Sequence, residues 1–164
     1  NGKVRELAIK ATSFFTKWKD LKKLIIKEEK VCAADADTRI QEFARFMVLK
    51  AHVEDINAKI LSPTLQIDQV WHRMLQFPAA YVQLCDLLLP STVPAPRLII
   101  HNPLAAFTAS KARESRLKFF LKIYEFEFGE TLHNDDEDEQ EEKQVKAVRR
   151  VAPRVKRTDS RLKC

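Results

Sequence analysis

Glycine is nearly absent from this chain of 164 residues: Gly2 and Gly129 are the only two. Strand-rich folds spend glycine on hairpin turns, so the scarcity favours helices. It also leaves no room for a glycine loop that cradles phosphate, and neither a Walker loop, a GxGxxG nor a GxSxG occurs. NTPase, dinucleotide-binding and nucleophile-elbow hydrolase readings therefore lack support. Cysteine is equally sparse. Cys32, Cys85 and Cys164 are an odd number without CxxC spacing, which argues against a disulfide framework or a zinc knuckle and for a reducing compartment. Long apolar runs are missing too. Leu87-Leu88-Leu89 and Leu98-Ile99-Ile100 fall far short of the roughly 20 residues that span a bilayer. Asn1-Gly2-Lys3-Val4-Arg5 does not lead into a signal-type apolar region, and the lack of an initiator Met suggests a processed chain or a fragment.

What is present is ordinary for a globular domain, with 45% apolar and 32% charged residues, too apolar for a disordered chain. Charge is unevenly spread. Residues 1–134 carry a net +5, residues 135–142 hold seven acids and no base, and residues 143–164 hold nine bases and one acid. The expected organisation is a helical domain over 1–130 and a charged tail over 131–164, disordered or a solvated helix.

Apolar spacing predicts an all-α chain, a single bundle of about four to five helices with a Pro-rich loop. Leu7, Phe14, Trp18, Leu21, Leu24 and Ile25 recur at helical intervals over 4–30, with one break allowed. Ile40, Phe43, Phe46, Met47, Lys50 and Val53 trace a second stripe over 36–56, with Asp37 or Thr38 as N-cap and the Lys50 stem snorkelling at its edge. Ser62-Pro63 reads as the start of a third helix, Ser62 capping and Pro63 in the first position. Ile67, Val70, Trp71, Met74 and Leu75 form its apolar face. Pro78 ends, kinks or restarts that helix, and Tyr81, Leu84, Cys85 and Leu88 continue the stripe. Four prolines over 90–103 mark a loop in which Leu98-Ile99-Ile100 is a short extended piece. A last helix runs from about Ser110 to Phe128, with Leu117, Phe120, Leu121, Tyr124 and Phe128 on one face and Gly129 as its C-terminal cap.

One group carries chemistry. Asp68 and His72 are four residues apart and share a helix face. A carboxylate beside an imidazole fixes the ring tautomer and raises its basicity, which suits a metal ligand or an oriented general base. His101, in the Pro-rich loop, is a candidate second nitrogen, and Cys85 a candidate sulfur. The plainer reading makes Asp68 and His72 a satisfied polar edge of a core helix, because the HExxH and CxxC spacings are missing. On that reading Trp71 packs with its indole N–H bonded, Cys85 is a small buried apolar residue, and His52 and His133 are exposed. Two ligands of one zinc ion require the His72 and His101 rings to lie within about 8 Å.

Five segments in register resemble the glycine-rich domain-containing protein-like family. They are Phe43-x-x-Phe46, Leu61-Ser62-Pro63, Ile67-Asp68-x-Val70-Trp71-His72, Tyr81-x-x-x-Cys85 and Ile100-His101-x-Pro103. Arg116, Tyr124 and Phe128-Gly129 are similar to its closing helix, and the resemblance covers about residues 36–130. It implies a helical fold with Trp71, Tyr81 and Cys85 as core signature, but no biochemical activity, since the family has none assigned. The chain departs from the family in reading His101-Asn102 where His-His is usual, in having Met74 where a histidine often stands, and in lacking appended glycine-rich regions.

Three functional readings follow. The first is a non-catalytic interaction or scaffold module with a protein partner and no cofactor. The second is a metal-binding or metal-dependent domain using Asp68, His72 and His101, with a divalent ion such as zinc. The third is nucleic-acid binding through Lys146, Arg149, Arg150, Arg154, Lys156 and Arg157 of the tail, which contact phosphate without aromatic stacking or serve as a nuclear import signal. All three imply an intracellular protein, cytoplasmic or nuclear, with no membrane partner.

Overall fold

A computed structural model describes residues 2–102 and 110–132, and these hold six helices and no strand. The all-α bundle is as expected, with one helix more because residues 4–30 divide. α1 spans Gly2–Phe15 and α2 spans Lys19–Glu29. Between them the N–H groups of Thr16, Lys17 and Trp18 each bond the carbonyl three residues back, at 3.2, 3.3 and 2.9 Å. This tightened turn exhausts α1 and lets Trp18 leave helical geometry. The buried face of α1 is also rotated from the expected stripe. Val4, Ala8, Ala11 and Phe15 point inward, while Leu7 and Phe14 pack at the margin. Small alanines let α1 approach its neighbour closely, a role the larger residues cannot take.

α3 spans Ala33–His52 and is the axis of the bundle, packing on each of the other five helices. From Phe43 to Lys50 every residue but Arg45 is buried, as befits a helix surrounded by others. Its N-cap is Cys32, whose sulfur accepts from the Asp35 N–H, not Asp37 or Thr38. Both of those lie inside the helix on its exposed side.

α4 spans Leu65–Met74 and α5 spans Pro78–Leu88, with Pro78 at the first helical turn. Here again the cap differs from expectation. Thr64, not Ser62, precedes α4 and accepts from the Ile67 N–H at 3.3 Å. Ser62 and Pro63 lie before the helix, and the Ser62 hydroxyl accepts from Arg116 Nε at 3.0 Å. α6 spans Ser110–Phe128 and ends at Gly129, whose φ of 72° is the left-handed geometry that favours glycine.

Aromatic rings fill the centre. Phe46 meets Trp71 and Phe120 edge-on, with centroids 5.6 and 5.0 Å away, and Phe43 lies 6.3 Å from Trp71. Each such ring, fully buried, contributes roughly 1.5–3 kcal/mol through water exclusion. α6 is fastened further by Arg45, which bonds the Tyr124 hydroxyl at 2.8 Å, pairs with Glu130 and stacks over Phe128. After α5 the chain returns to the bundle through Leu98-Ile99-Ile100, a segment without regular secondary structure. Its Ile100 N–H bonds the Ile56 carbonyl at 2.8 Å, and Ile99 is fully buried. No helix among the described residues is long and apolar enough to cross a membrane. The tail residues named above, together with His133 and Cys164, lie outside the described residues.

Candidate metal centre

Thr64 caps α4, and four residues later Asp68 sits in its first turn, where the helix dipole favours a carboxylate. One further turn on, His72 Nδ1 lies 3.5 Å from Asp68 Oδ2. Helical periodicity places both on the side flanking the core, while Val70 and Trp71 point into it.

The third member comes from 29 residues beyond His72. His101 Nε2 lies 3.0 Å from Asp68 Oδ1, and the His101 ring centroid is 4.6 Å from those of both His72 and Trp71. The requirement on ring separation is therefore met with room to spare. One candidate ligand atom from each of Asp68, His72 and His101 lies within 4.8 Å of the others. Ligands at zinc distances in tetrahedral array are roughly 3.3 Å apart, so three atoms that already lie within 4.8 Å of one another need only a small shift to close on one ion.

A chain of buried hydrogen bonds holds His101 in place. Trp71 Nε1 donates to the Tyr81 hydroxyl at 3.0 Å, and that hydroxyl donates to the Ile99 carbonyl. The Ile99 N–H in turn points at Cys85 Sγ, 3.5 Å away. Trp71, Tyr81 and Cys85 are thus core residues, as expected, and also the scaffold on which the segment with Ile99 rests. Burial pushes the Tyr81 phenol well up from its ordinary value and raises the Cys85 thiol too, so both stay neutral. Cys85 is spent on this backbone contact and lies outside the cluster of candidate ligands.

Beneath the cluster lies a pair that sequence reasoning missed. Lys50 is fully buried, not snorkelling, and its Nζ lies 2.6 Å from Asp55 Oδ2. Asp55 also accepts from the backbone N–H groups of Lys59, Ile60 and Leu61 at 2.7, 3.0 and 2.9 Å. Burial pushes the Lys50 ammonium below its ordinary range, against the pull of Asp55. Burial pushes the Asp55 carboxyl up, but Lys50 and the backbone donors outweigh it and hold it below the usual carboxylate range. Lys50 also lies 5.6 and 5.7 Å from the ring centres of Phe46 and Trp71. The one available signal was a lysine within an apolar stripe, followed five residues later by an acid.

These groups meet at a cavity of about 110 Å³, whose walls include Lys50, Ser62, Asp68, His72, His101 and Arg113. The His72 side chain is 49% exposed and that of His101 10%, so the cavity opens past His72 and is closed behind His101. Larger grooves of about 330 and 730 Å³ lie elsewhere, along α1 and α3 and beside α2, away from any such cluster among the described residues. His52, at the end of α3, is exposed. The fold and site define an all-helical domain with an Asp–His–His cluster at the mouth of a small cavity. No family model, curated protein or solved structure matches the chain.

Proposed function

We propose that this chain is a metal-binding domain in which Asp68, His72 and His101 hold one divalent first-row ion such as zinc. The observation that carries the reading is the approach of three ligand atoms to within 4.8 Å of one another, across two separate segments. Imidazole nitrogens with a carboxylate oxygen suit zinc, iron and related ions better than calcium or magnesium. Three protein ligands leave a coordination position for a further small molecule, the pattern of sites that do more than brace a fold. The open side past His72 gives that position a route to solvent.

Membership of the glycine-rich domain-containing protein-like family is part of the same proposal. Its support is that the similar segments converge: Phe43, Phe46, Trp71, Tyr81, Cys85 and His101 form one contact network. A role as an interaction module is the second reading. It is supported by Phe119 and Phe126, seven residues apart on α6 and 47% and 74% exposed.

The deciding experiment is elemental analysis of the full chain after exposure to zinc, iron(II), manganese(II) and cobalt(II) and removal of excess ion. About one ion per chain, lost in His72→Ala and His101→Ala variants that remain helical by circular dichroism, supports the metal reading. Wild-type protein without stoichiometric ion removes it and leaves the interaction reading.

A further inference from the structure

α1 and α2 both pack on α3 but touch each other little. The tight turn at Thr16, Lys17 and Trp18 separates them. The space left between them is a groove of about 730 Å³. Its floor is apolar, with Phe15 and Ile40 buried and Ile26 half-buried. Its rim is basic, with Lys19, Lys22 and Lys23 set against one acid, Asp37. Lys22 Nζ lies 2.7 Å from the Asp37 carboxylate, and Lys23 Nζ lies 3.0 Å from Asp20. The Lys23–Asp20 pair is 75% exposed on both sides and the Asp37 side chain 63%. Ion pairs so exposed hold weakly and exchange partners readily. Lys19 has no ion-pair partner among the described residues. Residues 17–27 hold five lysines and one acid, so positive charge remains after both pairs are counted.

We infer that this groove docks an acidic amphipathic segment of a partner protein, its apolar side chains on the floor and its Asp and Glu side chains on the lysine rim. A groove between two helices with apolar floor and charged margins matches the mode in which an amphipathic helix lays its apolar face down. The rim supplies charge complementarity, which steers and orients such a segment. A lipid surface fits less well. A membrane-binding face carries its apolar residues outermost, whereas Phe15 and Ile40 lie below the lysines. A nucleic acid would use the lysines but leave the apolar floor bare, and Phe15 is buried and offers no face for base stacking. The groove lies apart from Asp68, His72 and His101 and needs no metal.

Fluorescence anisotropy on the full chain tests this with a labelled synthetic helix carrying Leu and Phe on one face and Glu and Asp on the other. Two control peptides replace either the apolar residues by Ser or the acids by Lys. The expected result is saturable binding of the first peptide, with both controls at least about tenfold weaker. Lys19→Glu combined with Lys23→Glu reverses the rim. Gln41→Trp, at an exposed position on α3 that lines the groove, obstructs it without changing charge. Each variant, checked for helicity by circular dichroism, is expected to weaken the first peptide at least about tenfold. Absence of binding overturns the proposal, as does equal binding of the Ser-substituted peptide, which would mark attraction by charge alone. Unchanged affinity in the two variants also overturns it, because the peptide then sits elsewhere on the chain. Phosphatidylserine vesicles or a single-stranded oligonucleotide are the remaining probes. Either one binding in a manner lost in both variants, while the peptide does not bind, overturns the proposal in favour of that partner.

Discussion

His101 and Asp68 stand 33 positions apart in the chain, yet His101 Nε2 and Asp68 Oδ1 are 3.0 Å apart. The carboxylate thereby serves two imidazoles, one on its own helix and one on a separate segment outside the helices. A polar edge of a core helix needs only the first. The second makes the group a cluster, and its members face a cavity instead of bulk water on all sides.

Metal added to the wild-type chain is expected to raise its melting temperature. At a hundredfold excess over Kd, ligand linkage contributes about 2.7 kcal/mol, or roughly 10 °C for a domain of this size. Chelation reverses the shift. In His101→Ala the metal-induced rise is expected to shrink to about 2 °C or less, whatever the starting stability of the variant. Differential scanning calorimetry with and without zinc measures both.

Tyr81→Phe removes a hydroxyl that accepts from Trp71 and donates to the Ile99 carbonyl. Two buried groups then lack partners, at a cost of about 1–3 kcal/mol each. Because Ile99 lies two residues before His101, metal affinity is expected to fall as well. Urea denaturation reads the first effect and a zinc titration the second. A variant that loses stability but keeps wild-type affinity counts against the role assigned to this network.

Thr64→Ala deletes the α4 N-cap and is expected to cost about 1 kcal/mol. The same helix carries Asp68 and His72, so fraying of its first turn acts most on Asp68. Amide hydrogen exchange of residues 65–69 is expected to speed up more than that of α5 or α6.

Asp55→Asn leaves the Lys50 ammonium buried without its counter-charge, and a loss of about 3–5 kcal/mol is expected. Lys50→Met combined with Asp55→Asn is expected to recover much of it, since the cost lies in the stranded charge. The pair also sets a pH dependence. The native Asp55 carboxyl is held below its ordinary value, so it contributes stability that is full above about pH 5 and is lost as pH falls through its lowered native value. Lys50 is lowered as well. Stability therefore rises as pH climbs from its native value toward that of an exposed lysine near 10.4. Urea midpoints from pH 3 to 10 are expected to lose both slopes in the double variant.

Several features were legible because they depend on neighbours within a few residues. The α6 stripe and its Gly129 cap appear where the 3.6-residue period places them. Asp68 and His72 share a face for the same reason. Trp71, with two polar neighbours on one edge and apolar spacing on the other, reads as a core anchor without any structure. Local signals failed where two were equally good. Ser62 and Thr64 are both competent caps, and packing against Arg116 took Ser62 for another purpose. In α1, Leu7 and Phe14 outweigh Ala8 and Ala11 on any hydrophobicity scale, but close helix packing selected the small residues.

The sequence by itself determined the fold class, the helix carrying Asp68 and His72, and the candidacy of His101, because backbone hydrogen bonding and side-chain period act over one or two turns. Only the tertiary structure decided that His101 reaches Asp68, that Lys50 is buried against Asp55, and that Arg113 faces the same cavity. Those contacts join distant parts of the chain. They depend on how the segment after α5 docks on the bundle and on which charges find partners once water is excluded, and no local pattern of residues encodes either.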